Sequence, residues 1–129
     1  MTIEEKVYSV LAAASGVTAL ATTGRIKPRD ASLEGLARPY VVHFPVLAES
    51  NQLHGSPGLA NLKIWRYQVS CFADTYSGAR SLAVAVRAAL GDYVGGGIVS
   101  HWLSDYNIPA DADIRVIQIV CEFEIADML

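Results

Sequence analysis

Two cysteines, Cys71 and Cys121, and three histidines, His43, His54 and His101, are the residues of this chain best suited to covalent chemistry. A nucleophile would pair one thiol with one imidazole, which takes the thiol proton. Both cysteines, however, lie in the middle of alternating runs, on the side expected to face a core. Neither opens a helix, where the dipole would favour a thiolate. Small buried thiols in a reducing cytoplasm are the stronger reading, ahead of a disulfide. Metal chemistry fares no better, because the chain has no CxxC, HxH or HExxH. Asp111-Ala112-Asp113 alternates carboxylates but lacks the other ligands and the glycine of a calcium loop, so it reads as a solvated turn. No metal or cofactor is expected.

Three further patterns have plainer explanations than catalysis. Gly95-Gly96-Gly97 follows a helix and precedes a strand, the reverse of a phosphate loop, and no Lys-Ser/Thr follows. Glu122 and Glu124 share one face of one strand, whereas a hydrolase pair must flank a cleft. Arg25, Arg29, Arg38 and Arg66, with Trp65 and Tyr67, lack the glycine-aromatic signature of an RNA-binding sheet. Arginines and aromatics also mark protein interfaces, which is the reading favoured here.

The elements around these residues are clearer. Trp65, Tyr67, Val69 and Cys71 alternate with Arg66, Gln68 and Ser70, a strand with two unlike faces. From Ala79 the apolar positions Leu82, Ala83, Val86, Ala89 and Leu90 change to a period of 3.6, and Gly91 stops the helix. Thr2-Ile3-Glu4-Glu5 is a capping box, and Ile3, Val7, Val10, Leu11 and Ala14 form the stripe of the helix behind it. Gly24 to Pro28 reads as a short extended piece. Pro39 to Pro45 is a strand bracketed by prolines. Val46 to Leu62 has little periodicity and reads as a long loop. The triple glycine is a turn, Ile98 to Tyr106 a strand, and Ile114 to Ile125 the last strand. In that strand Ile117, Ile119, Cys121, Phe123 and Ile125 face one way, and Val116, Gln118, Val120, Glu122 and Glu124 the other.

The order α-β-β-α-β-β predicts an α+β fold: a four-stranded antiparallel sheet with two helices on one face. The last strand's apolar face should meet Leu82, Val86, Leu90, Val7 and Leu11. The opposite face carries Arg, Gln, Ser and Glu, with Trp65 or Trp102 as further candidates for it. At 129 residues the chain is expected to be a single domain, residues 1–129. Apolar residues make up 52%, enough for a core, while the charged fraction of 18% is below the usual quarter. The net charge of −3 and the absence of a basic run argue against a general grip on nucleic acid. No apolar stretch is long enough to span a bilayer, and no signal peptide is expected at the N-terminus.

One resemblance extends over about the first 90 residues. It is carried by the N-terminal helix, Gly24-Arg25-Ile26 with Pro28, and Arg38-Pro39-Tyr40-Val41-Val42. Beyond a variable loop it continues in Arg66 to Ala73, then Ala79-Arg80-Ser81-Leu82-Ala83 through Val86 to Leu90. In order and spacing these pieces resemble the tail completion or tail terminator proteins of long-tailed bacteriophages and prophages. The resemblance implies a non-enzymatic virion subunit at the head-proximal end of the tail, assembled in the host cytoplasm. Such subunits form a homo-oligomeric ring, commonly a hexamer. The ring caps the tail tube, ends its polymerisation and joins tail to head. Its implied partners are copies of itself, the tail tube protein and a head–tail connector protein, with DNA passing through the lumen unbound. The final hairpin matches in character more than in motif.

A ring needs one surface to meet a different surface of the next copy. The polar sheet face and the 46–62 loop are the candidates, with Arg25, Arg38, His54, Trp65, Arg66 and Trp102 as contact residues. Glu122 and Glu124 would keep a lumen acidic, so that DNA does not adhere. The competing reading is a small-ligand-binding or enzymatic α+β domain with a cleft near His43, Cys71 and His101.

Overall fold

The computed structural model describes residues 2–29, 36–50, 62–108 and 116–128. The long strand β3, Leu62–Ala73, pairs along its whole length with β6, Ile117–Met128, in antiparallel register. On one side of this pair lies β2, Tyr40–Ser50, and on the other β5, Ile98–Ile108. These four strands are the antiparallel sheet expected from the sequence, but they are not the whole sheet. Two three-residue strands extend it: β1, Ile26–Pro28, runs parallel to β2, and β4, Tyr93–Gly95, runs antiparallel to β5. The described residues therefore form a six-stranded mixed sheet of order β1-β2-β3-β6-β5-β4, curled into a half-barrel.

Among the described residues there are also three helices rather than two: α1, Ile3–Ala13; α2, Ser15–Thr18; and α3, Tyr76–Leu90. A 3₁₀ turn, Thr23–Arg25, leads into β1. The expectation of four strands and two helices fails because periodicity needs several residues to register, and the added elements have three or four.

The local signals hold at the long elements. The Glu5 amide donates to the Thr2 hydroxyl at 3.2 Å, and that hydroxyl donates to Glu5 Oε1 at 3.2 Å, joining the two ends of the expected capping box through the hydroxyl. Thr75 caps α3 by accepting from the Gly78 amide at 3.0 Å. Ile119, Cys121, Phe123 and Ile125 are buried against Leu82, Val86 and Leu90 of α3, in one core with Val7 and Leu11 of α1. Between β4 and β5 the turn residues Gly96 and Gly97 have φ of +57° and +82°. A two-residue hairpin of this hand needs positive φ at both positions, which suits glycine.

The loop expected over 46–62 is shorter. Residues 46–50 continue β2, and residues 51–61 lie outside the described residues. The strand survives Pro45 through a bulge: Pro45 faces Tyr67 and Leu47 faces Arg66, leaving Val46 as the extra residue. A second bulge places Leu103 between Trp102, opposite Phe123, and Ser104, opposite Glu122. Both bulges thus adjoin the same Tyr67–Phe123 rung, one on each side of the central pair.

Candidate assembly interface

Among the described residues the helices cover only one face of the sheet. On the other face the rungs can be read across β2, β3, β6 and β5. They are Tyr40–Phe72–Gln118–Ile108, Val42–Ser70–Val120–Tyr106, Phe44–Gln68–Glu122–Ser104 and Leu47–Arg66–Glu124–His101. The floor of this open face is drier than its composition suggests. Val42, Ser70 and Val120 are buried there without a helix above them, as side chains on a curled sheet can shelter one another. The Tyr40 and Phe72 rings stack at 4.8 Å between centroids. The Ser70 hydroxyl accepts from Gln68 Nε2 at 3.1 Å and from Gln118 Nε2 at 3.3 Å. At one end the face turns charged: Arg66, Glu124 and His101 lie on one rung across three strands, all exposed.

The two tryptophans belong elsewhere. Trp65 shares the parity of Tyr67 and packs on the helix-side core, and so does Trp102. The expectation that either might lie on the open face is thereby corrected. The Leu103 bulge shifts the alternation, so Asp105 joins Trp102 on the helix side. There Trp102 Nε1 donates to Asp105 Oδ1 at 2.7 Å, and the Arg87 guanidinium lies 3.7 Å from the Trp102 ring centroid. Arg80 Nη1 stands 3.9 Å from Asp105 Oδ2.

The remaining candidates are scattered. Arg66, Glu122 and Glu124 do lie together on the open face. Arg38 pairs with Asp74 near the ends of β2 and β3, and Arg25 ends the 3₁₀ turn. His54, with the 51–61 part of the expected loop, falls outside the described residues. What the sequence reading did not single out is the set of exposed apolar residues on β2 and β5: Val46, Leu47, Leu103, Tyr106 and Ile108. The available signal was the apolar pair Val46-Leu47 in a segment read as loop.

The residues of the catalytic alternative are not brought together. A cleft of about 570 Å³ opens between α1 and β1, lined by Glu4, Glu5, Tyr8, Lys27, Pro28 and His43 among others, but not by Cys71 or His101. His101 is exposed on the open face of β5, with two strands between it and β2, while Cys71 is fully buried on the helix side. A hydrogen bond to Cys121, followed by burial, pushes the Cys71 thiol well up. That makes it a poor nucleophile. Burial lowers His43 to about 4, against a smaller opposing effect of Glu4, and raises the Tyr67 phenol.

His43 Nδ1 and the Tyr67 hydroxyl are 2.6 Å apart, and His43 Nε2 is buried without a partner among the described residues. If Tyr67 donates to Nδ1, only the Nε2 proton is unpaired; the reverse tautomer would orphan both the phenol proton and Nε2. The neutral Nε2–H imidazole follows. It is a structural acceptor of the Tyr67 hydroxyl, not a base poised near neutrality. Among the described residues no three His, Cys, Asp or Glu side chains group as metal ligands, and no helix is long and apolar enough to cross a membrane.

No curated protein sequence matches the chain. Among solved structures, a chain of the virion of a native gene transfer agent particle superposes with a TM-score of 0.75 at 20% identity, covering 97% of this chain and 93% of that one. At that identity the likeness is one of fold. The model of the family described as tail completion protein gp17 matches residues 5–126. With the match running over nearly its whole length, the chain belongs to the tail completion protein gp17 family.

Proposed function

We propose that the chain is a phage or prophage tail protein that caps the tail tube as a homo-oligomeric ring, ends tube polymerisation and forms the surface that joins tail to head. Family membership over residues 5–126 carries this reading. The structure supports it because, among the described residues, no helix covers one sheet face, a surface suited to line a passage or meet another subunit. In this reading the partners are neighbouring copies, six to a ring, with the tube protein on one side and a head–tail connector protein on the other. The chain acts at the head-proximal end of the tail after assembly in the host cytoplasm. It performs no catalysis. DNA crosses the lumen unbound, held off by Glu122 and Glu124.

The test is deletion of the gene followed by electron microscopy of the lysate. Without a terminator the tube has nothing to stop it, so overlong tubes and heads lacking tails are expected. Normal-length tails joined to heads would overturn the proposal.

A further inference from the structure

The open face is flanked by strand edges that the fold leaves half covered. β1 pairs with β2 only at Val41–His43, so among the described residues no strand covers the outer edge of Phe44–Ser50. β4 pairs with β5 only at Ile98–Ser100, which leaves the edge of His101–Ile108 in the same condition. Apolar side chains are exposed along both: Val46 and Leu47 at 51%, Tyr106 at 43% and Ile108 at 39%. Unpaired edges of this length are templates for pairing with another chain.

We infer that copies join edge to edge, β5 of one against β2 of the next, in a single register. This rests on the ring reading above and specifies its contact. Direction allows it: β2, β3, β6 and β5 alternate, so β5 meets a following β2 antiparallel. The register follows from the two short strands, which block opposite ends. The free edge of β2 spans the rungs from Gln68 to Lys63, whereas that of β5 spans those from Arg66 to Phe72. A neighbour must therefore slide along the strands.

Only even slides keep each side chain on its own face. A slide of two rungs brings Ser50 against Ser100, which Tyr93 of β4 already occupies. A slide of six carries Phe44 and Pro45 past the end of β5 at Ile108. A slide of four places Leu47 opposite Tyr106 and Phe44 opposite Ile108, apolar against apolar, with Ser50 at Trp102 and both short strands clear. Four rungs per four strands makes the shear equal to the strand number, whatever the number of copies. That ratio gives a strand tilt of about 36° in the eight-stranded (β/α) barrel, within the range of closed barrels.

The test uses a double variant, Leu47→Cys with Tyr106→Cys, in rings assembled on tube protein. Oxidation or a short bis-maleimide should give a covalent ladder of multiples, absent from either single variant. It should be at least about tenfold weaker in the offset pair Leu47→Cys with Ser104→Cys, as cross-linking falls off over one further pair of residues along a strand. Hydrogen exchange on the unmodified protein gives a second readout that no misfolded variant can confound. Amides of 46–50 and 101–108 should slow by about tenfold or more on ring formation, as expected for amides newly paired in a ladder. Rings of normal size with no ladder and unchanged exchange at these edges would overturn the inference and leave the ring standing. A chain that stays monomeric with tube protein present would overturn both.

Discussion

The two faces of this sheet alternate along the same strands, yet they are built to opposite ends. Under α1 and α3, Tyr67, Val69, Phe123 and Ile125 are fully buried in one continuous core. On the open face, apart from the small Val42–Ser70–Val120 floor, the described side chains are half-buried or exposed, and many are polar or charged. Stability is therefore concentrated on one side, and the other is free to be shaped by what it touches. Substitutions should separate along that line: large losses of stability from the covered face, and losses of assembly without loss of stability from the open one.

The largest effect is expected at Phe123. Phe123→Ala should cost about 3–5 kcal/mol, the usual range for deleting a buried aromatic, measured by urea unfolding. A cost below about 1 kcal/mol would erase the contrast between the faces. His43 comes next. Its unfolded value is 6.5 and its folded value about 4, so between those pH values the unfolded chain takes up a proton that the folded chain refuses. Stability should then be fully present above pH 6.5 and fall as pH drops to about 4, by about 3 kcal/mol at 1.36 kcal/mol per pH unit. His43→Gln should flatten that part of the profile.

Thr75→Ala, which removes the cap of the helix over the core, should cost about 1 kcal/mol, seen as a lower urea midpoint with an unchanged slope. The smallest change in stability is expected from the double reversal Glu122→Lys with Glu124→Lys, within about 0.5 kcal/mol as at other surface sites. Its effect should appear in DNA ejection from assembled particles, because a positive lumen would retain the backbone. Ejection at the normal rate would remove the role proposed for these two carboxylates.

Much of the covered face was legible in the sequence. The strand–helix unit from Tyr67 to Gly91 and the apolar face of β6 were long enough for a period to show, and the cap at Thr2–Glu5 is a local motif that needs none. What escaped was short or out of phase. β1 and β4 have three residues each, less than two full alternations. The bulges at Val46 and Leu103 shift the count by one, so a strict period of two could not reveal that Trp102 and Asp105 share a side. The candidate interface was legible as a polar face, through Arg66, Glu122 and Glu124. Its edges were not, because an edge is defined by which strand is missing beside it, and the order of strands is a property of the whole chain.

The two buried thiols have a consequence for durability. A part that, as proposed, is made in one redox climate and used in another must keep the same covalent state in both. Cys71 and Cys121 are sealed beneath α3, and Cys71 is held as a protonated thiol. Oxidants attack exposed thiolates, so this chain presents them with no target at either cysteine. On the proposed function, a particle released from a lysed cell can then wait in air-saturated water without stray cross-links where tail meets head.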